Sequence, residues 1–200
     1  MKVENEARAL MINVEEVLQQ IKDKNLKFVS AEFQKRYVYD FNPPIKGRWI
    51  RLRTDGKSTT LTIKEILNNS ISGTKEMEIY VSDFTKTNEI LNELGYLPRS
   101  FQENFRIEFS NTVASFDIDF WPGIDPYFEI ESTSKELVEE LFESFGYTLE
   151  KITSQNVDLV YKDIYGIDLD KITKLEFNNE QRDYLKRIKR RLVYEYSEKQ

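Results

Sequence analysis

Cysteine and histidine are both absent from this 200-residue chain. Without cysteine there is no disulfide framework and no thiolate chemistry. Without histidine there is no imidazole base, no Ser-His-Asp triad and none of the usual zinc ligands. Any metal must then be held by oxygen, which favours Mg2+, Mn2+ or Ca2+. Long apolar runs are missing too. Nothing approaches the roughly 20 residues that a membrane-spanning helix needs, so no membrane partner is expected. The chain opens Met1-Lys2-Val3-Glu4-Asn5-Glu6, charged from the start and without a secretory-signal pattern. A cytoplasmic location is the expectation. Basic charge is in deficit, with 29 Lys and Arg against 35 Asp and Glu. Binding a nucleic-acid polymer needs a broad basic face, so no such polymer is expected as a partner.

What is present is the length of one domain with room for a small appendage, written largely in short alternating runs. Period-2 alternation predicts strands near residues 3–11, 27–41, 48–53, 59–66, 76–81, 103–109, 114–120 and 127–131. Asp55-Gly56 joins the third and fourth runs as a hairpin turn. Asn13, with Glu16 three residues on, forms a capping box for a first helix whose apolar face is Val14, Val17, Leu18 and Ile21. Helices near 85–94 and 135–145 stop at Gly95 and Gly146, which suit left-handed C-caps. Pro43-Pro44 either breaks the second strand or bounds a loop. Beyond Tyr147 the pattern turns helical, with Val157, Val160 and Tyr161 on one face. A last helix near 179–194 turns Leu185, Ile188 and Leu192 inward.

Side chains at i and i+2 of a strand share a face. Glu4, Glu6 and Arg8 therefore share one, as do Arg51 and Arg53, Thr62 and Lys64, Asp117 and Asp119, and Glu129 and Glu131. Apolar residues fill the alternate positions. Taken singly, each strand fits an antiparallel sheet with one solvated face. Taken together, the signs are segregated, acidic on some strands and basic on others. Like charges side by side are unfavourable, so segregation costs energy unless a ligand of matching charge arrives. Two carboxylates roughly 6.5–7 Å apart along a strand can converge on one cation, and two arginines can fork onto phosphate oxygens. The combination describes a site for a metal plus a polyanion.

In order along the chain stand Glu4-Asn5-Glu6-Ala7-Arg8, Tyr37-Val38-Tyr39-Asp40, Arg51-Leu52-Arg53 and Leu61-Thr62-Ile63-Lys64. Glu76-Met77-Glu78, Arg106, Asp117-Ile118-Asp119-Phe120-Trp121-Pro122 and Phe128-Glu129-Ile130-Glu131 follow. The ordered set resembles the CYTH family, the triphosphate-tunnel metalloenzymes, which includes class IV adenylate cyclases, thiamine triphosphatases and bacterial inorganic triphosphatases. The resemblance spans about residues 3–147. It implies an α+β fold: an eight-stranded antiparallel β-barrel forming a charged tunnel over residues 1–150, with helices packed outside. A C-terminal helical extension over 151–200 would pack on the barrel. By the same resemblance, Glu4 and Glu6 hold Mg2+ or Mn2+, with Glu129, Glu131, Asp117 and Asp119 in support. Arg8, Arg36, Arg51, Arg53, Lys64 and Arg106 hold the phosphates, and Glu4, Glu6, Arg8 and Lys64 carry the catalysis. A homodimer is implied as well.

The chain departs from the family pattern in places. Arg8 stands where the signature has Lys, and Asn104-Phe105 precede Arg106 where relatives often carry Lys. The histidine-containing N-terminal segment of class IV cyclases has no counterpart. The expected activity is therefore metal-dependent hydrolysis of a small triphosphate, with ATP cyclisation and ligand binding without turnover as alternatives. Of three other features, two read as structural and one is open. The basic run Lys186, Arg187, Lys189, Arg190 and Arg191 reads as the wet face of a terminal helix. Phe120-Trp121-Pro122 and Tyr127-Phe128 read as packing. Asp117 and Asp119 either bind metal or balance neighbouring arginines.

Overall fold

The computed structural model describes residues 1–197. In chain order the elements are β1 (Lys2–Ala9), α1 (Val14–Asp23), β2 (Lys27–Ile45), β3 (Arg48–Thr54), β4 (Thr59–Ile66), β5 (Thr74–Tyr80), α2 (Phe84–Glu93) and β6 (Ser100–Ser110). Then come β7 (Ala114–Phe120), β8 (Tyr127–Ser132), α3 (Lys135–Ser144), the short β9 (Ile152–Thr153), α4 (Val157–Tyr165), the short β10 (Lys174–Leu175) and α5 (Asn179–Ser197).

Local chemistry sets the boundaries. The Asn13 side chain accepts from the backbone N–H groups of Glu15 and Glu16 and donates to the Glu16 carboxylate at 2.8 Å, so the expected pair meets at the start of α1 through its two side chains rather than through the Asn13 backbone N–H. Asp83, Ser134 and Asn156 cap α2, α3 and α4 in the same way. Gly95 and Gly146 follow α2 and α3 with φ of +88° and +80°, the left-handed region where a Cβ is unwelcome. In the β3–β4 hairpin, the Asp55 carboxylate accepts from the backbone N–H groups of Lys57 and Ser58 at 2.8 and 2.7 Å.

One strand runs past its expected end. Pro43 and Pro44 lie within β2, which continues to Ile45. The β2–β3 ladder is regular as far as Asp40 opposite Trp49, then shifts register before Ile45 meets Arg48. The prolines fall inside that irregularity, where the ladder asks for no N–H from them.

The long strands are hydrogen-bonded in the order β6-β2-β3-β4-β5-β1-β8-β7, and β7 pairs back onto β6. The eight strands thus close an antiparallel β-barrel. Backbone contacts divide the chain into two compact units. One comprises Met1–Glu4, Phe33–Glu103 and Gln155–Glu176. The other comprises Asn5–Glu32, Asn104–Ser154 and the segment from Phe177 onward.

In the first unit the apolar faces of β2 and β3 bury Tyr39, Ile50 and Leu52 against Leu91 of α2. Tyr37 stacks on Phe84 at 5.2 Å, and the Tyr39 hydroxyl donates to Asn88 at 2.8 Å. In the second unit Phe116 and Phe128 meet Phe142 and Phe145 of α3 and its C-cap. Along α5, Leu185, Ile188 and Leu192 are buried as the periodicity predicts. The basic residues of α5 point mostly to water, but Lys189 is ion-paired with Glu32 and Arg191 with Glu15 at 2.8 Å. Within the described residues no helix is long and apolar enough to cross a membrane.

Phe128 is fully buried and lies against the rings of Phe116, Phe142, Phe145 and Tyr147, the nearest centroid being Phe145 at 4.9 Å. Phe128→Ala is expected to cost about 3–5 kcal/mol, read as a lower midpoint in urea unfolding. A loss below about 1 kcal/mol would mean that α3 does not depend on this cluster.

Candidate functional site

Alternation places the ionic residues on the sheet face opposite the helix-covered one. What the strand patterns could not show is how neighbouring strands pair them. Segregation along the sequence is largely undone across the ladder: Lys64 stands directly opposite Glu76, Arg8 opposite Glu129, and Arg106 opposite Asp119. Much of the cost expected of segregated charge is thus met within the protein, by cross-strand pairs of opposite sign.

In the first unit, Lys64 Nζ lies 3.0 and 2.9 Å from the two oxygens of Glu4 and 3.5 Å from Glu76. Arg51 reaches Glu78 at 3.3 Å and Glu76 at 3.9 Å, and Arg53 reaches Glu78 at 3.9 Å. The Thr62 hydroxyl donates to Glu78 at 2.6 Å. Burial pushes the Glu78 carboxyl up, but Thr62, Arg53 and Arg51 together outweigh it and hold it below the usual carboxylate range. Arg36 of β2 stands directly opposite Arg53 of β3, so two guanidinium side chains share one register position. Arg36, Arg51, Arg53 and Lys64 thus outnumber Glu4, Glu76 and Glu78, and this part of the sheet is cationic.

The second unit has the opposite balance. Arg8 lies 2.7 Å from Glu6 and 2.6 Å from Glu129, with its guanidinium 5.8 Å from the centre of the Tyr127 ring. Arg106 spans Asp117 at 2.5 Å, Asp119 at 2.6 Å and Glu129 at 3.0 Å. Asn104, fully buried, donates to Asp119 at 2.9 Å. Burial alone would weaken the charge on both arginines, but the surrounding carboxylates outweigh it and push both guanidinium groups further up. Asp117 shows the converse: burial, with Asp119, Glu129 and Glu108 crowding it, overcomes the pull of Arg106 and raises its carboxyl well above the ordinary value.

Glu6 of β1 stands directly opposite Glu131 of β8. Together with Glu4, two residues along β1, each offers a carboxylate oxygen, and the three atoms lie within 4.8 Å of one another. An all-oxygen, all-anionic set converging on one point suits a hard divalent cation. Asp117, Asp119 and Glu129, the other residues that the family resemblance puts near metal, lie outside this convergence and are engaged by Arg106 and Arg8; Glu6 also meets Arg8, and Glu4 meets Lys64. Arg8 and Arg106 themselves sit among carboxylates, whereas Arg51, Arg53 and Lys64 line the cationic part.

Two features escaped the sequence reading. Arg99, in the loop before β6, is ion-paired with Asp40 at 3.4 Å, Asp158 at 3.5 Å and also Asp170. Its partners come from three distant segments, so no local spacing announces it. Glu78 was visible in its motif, but its role as the carboxylate shared by Arg51, Arg53 and Thr62 follows only from the β4–β5 register. The aromatic run is packing, as expected: Trp121 and Tyr127 are buried, and the indole N–H donates to the Tyr127 hydroxyl at 3.0 Å.

A family profile described as CYTH domain matches residues 3–162. None of the curated proteins compared with the chain matches it. Among solved structures, the PH1012 protein of Pyrococcus horikoshii is similar at 19% identity, with 76% of this chain and 96% of that chain covered and a TM-score of 0.68. A provisionally assigned adenylate cyclase from Vibrio parahaemolyticus is similar at 14% identity, covering 83% and 99%, with a TM-score of 0.68. A Hippeastrum protein, described as a provisionally assigned adenylyl cyclase with a dominant triphosphatase activity, is similar at 15% identity, covering 82% and 96%, with a TM-score of 0.56.

The depressed Glu78 carboxyl has a signed consequence. Its charged form is favoured in the folded chain, so its stabilisation is present above the ordinary glutamate pKa of about 4.3 and is lost as pH falls through the lower folded value. Glu78→Gln should melt below the native chain at neutral pH, and the gap should close on acidification below about pH 4. A gap that persists unchanged there would mean that Glu78 acts through packing rather than charge.

Proposed function

This chain belongs to the CYTH domain family, and from that premise we propose that it hydrolyses a small triphosphate compound with the help of a divalent cation. The observation that carries the reading is the pair of like-charged positions left facing each other across the ladder. Glu6 faces Glu131, with Glu4 alongside, and Arg36 faces Arg53, with Arg51 alongside. Such pairs are unfavourable on an empty sheet face, a cost that Arg8 offsets at Glu6 and Glu78 offsets at Arg53 until ligands arrive. Cation and polyanion binding turns both from liabilities into ligands.

In this reading Glu4, Glu6 and Glu131 would hold Mg2+ or Mn2+, and their donor set fits such an ion. When bound, the cation supplies Lewis-acid withdrawal of charge from phosphate oxygens. Arg51, Arg53 and Lys64 bind and align the remaining oxygens, which is most of what phosphoryl transfer asks of a protein. Glu76 and Glu78 keep those cations in place before the substrate arrives. Arg8 and Arg106 act as positioning residues, since their ion pairs are as short as 2.6 and 2.5 Å, whereas those of Arg51 and Arg53 are 3.3 Å or longer. Water attacks the terminal phosphorus, releasing orthophosphate and leaving a diphosphate. The buried Trp121–Tyr127 pair offers no open ring for stacking on a base, which weighs against a cyclase reading that relies on it.

The decisive assay incubates the purified chain with ATP or inorganic tripolyphosphate and Mg2+ or Mn2+. Orthophosphate that disappears with chelator is the expected product. Cyclic AMP with pyrophosphate would replace this reading with cyclisation, and saturable binding without any product would replace it with a sensor.

Two substitutions separate the roles. Glu6→Gln should lower kcat by about 100-fold or more with an unchanged circular dichroism spectrum, the scale of losing a transition-state charge contact. Arg53→Ala should weaken tripolyphosphate binding by roughly tenfold, the scale of one charge-assisted hydrogen bond. Full activity in the first or unchanged affinity in the second would overturn the corresponding assignment.

A further inference from the structure

One apolar face of the first unit lacks cover. Thr62 and Glu78, bonded to each other at 2.6 Å, mark the charged side of β4 and β5. Their alternates, Leu61, Ile63, Met77 and Ile79, therefore share the other side, where α2 packs. Ile63 stands opposite Met77, and Leu61 opposite Ile79. Leu61 and Ile63 are half-buried against the cluster that holds Leu91 of α2. On the next strand the cover ends: Met77 and Ile79 are 51% and 56% exposed.

The helix continues this face. Asn88 accepts from the Tyr39 hydroxyl at 2.8 Å, which fixes the flank of α2 that is turned toward β2. At about 100° per residue, Ile90 and the C-cap residue Leu94 fall on the other flank, and they are 60% and 68% exposed. Large apolar side chains grouped in this way mark a surface that another protein covers. The charges at the rim indicate which protein. Lys86 and Glu93 stand on the same flank, farther out than Ile90, four residues before it and three after it. Among the described residues neither has an ion-pair partner.

Two copies of α2 laid antiparallel about a two-fold axis beside Ile90 bring Lys86 of each against Glu93 of the partner subunit, because the axis falls at the midpoint of the two charges. A foreign partner has no need of both signs at near-equal distances from an apolar centre. From this self-complementarity we infer that the face joins two copies of the chain, with Ile90, Leu94, Met77 and Ile79 buried at the contact and two Lys86–Glu93 pairs at its rim. A helix of 10 residues is only about 15 Å long. The uncovered face of β5 adds to the area that a stable contact, roughly 800 Å² per partner, asks for. The charged side of β4 and β5 points the other way, so the proposed triphosphate site is not part of the contact.

Sedimentation velocity of the full chain at about 100 μM, enough to populate a dimer of micromolar Kd, should show twice the mass of one chain. Ile90→Glu and Met77→Glu each place a charge inside the contact, and both should sediment as monomers with an unchanged circular dichroism spectrum. Val193→Glu, at an exposed apolar residue of α5, should stay dimeric. Lys86→Glu and Glu93→Lys should each weaken the dimer by roughly tenfold, since like charges then meet at both ends of the helix pair. An equimolar mixture of these two variants should associate roughly tenfold more tightly than either alone, because every charge again meets its opposite across the two-fold axis. Mixing would not repair local damage to α2. A monomeric native chain would overturn the inference and leave the face to a different protein. A native dimer that Ile90→Glu and Met77→Glu leave intact would overturn it too, since another surface would then join the copies. A mixture no tighter than its components would overturn the antiparallel pairing of α2. Should Ile90→Glu fail to fold, Met77→Glu and the mixture still decide.

Discussion

Arg106 has no place to go but among carboxylates. Asp117, Asp119 and Glu129 surround it, and all three are shielded from water. A charge taken out of water must be matched by its neighbours, since an unmatched one costs several kcal/mol. The match here depends on register. Arg106 faces Asp119 across β6–β7, and Asp117 faces Glu129 across β7–β8, so one guanidinium bridges a like-charged pair on the next strands. A slip of one residue in any of these ladders would turn the charged set toward the helix-covered face. The ion network and the strand register therefore enforce one another.

The same alternation explains why helices are needed. A face that reads Phe105, Ile107, Phe109 on β6 and Phe116, Ile118, Phe120 on β7 is fully or almost fully buried. In the second unit Phe145, at the C-cap of α3, packs on Phe116 of β7 and Phe142 of α3 packs on Phe128 of β8, and in the first unit α2 supplies Leu91 against β2 and β3. Each strand is thus bound to protein on one side by apolar area and on the other by ion pairs. The apolar side supplies most of the stabilisation. The ionic side contributes little net stability and can therefore be shaped by function.

Seen this way, the departures from the family pattern make local sense. Arg8 in place of lysine brings a planar group that contacts Glu6 and Glu129 at once, which a single ammonium does less well. Asn104 in place of lysine donates to Asp119, so that carboxylate is shared with Arg106 and still bonded from both sides. Both changes keep the acidic part of the sheet hydrogen-bonded without placing an ammonium in it.

Much of this could be read before any coordinates. Period-2 alternation marked all eight long strands, and Asn13, Gly95 and Gly146 marked helix ends, because those signals act within a few residues. Ordered motifs carried the family resemblance. The absence of histidine and cysteine limited any metal to oxygen ligands. Other features were closed to the sequence because they join distant segments. These are the continuation of β2 through Pro43 and Pro44, the pairing of Lys64 with Glu4 and Glu76, the convergence of Glu4, Glu6 and Glu131, and the clamp of Arg99 on Asp40, Asp158 and Asp170. By itself the sequence determined which side chains share a face, since that follows from the geometry of one strand. Only the tertiary structure decided which charges meet, since that is set by the register between strands, and register depends on the whole closed sheet.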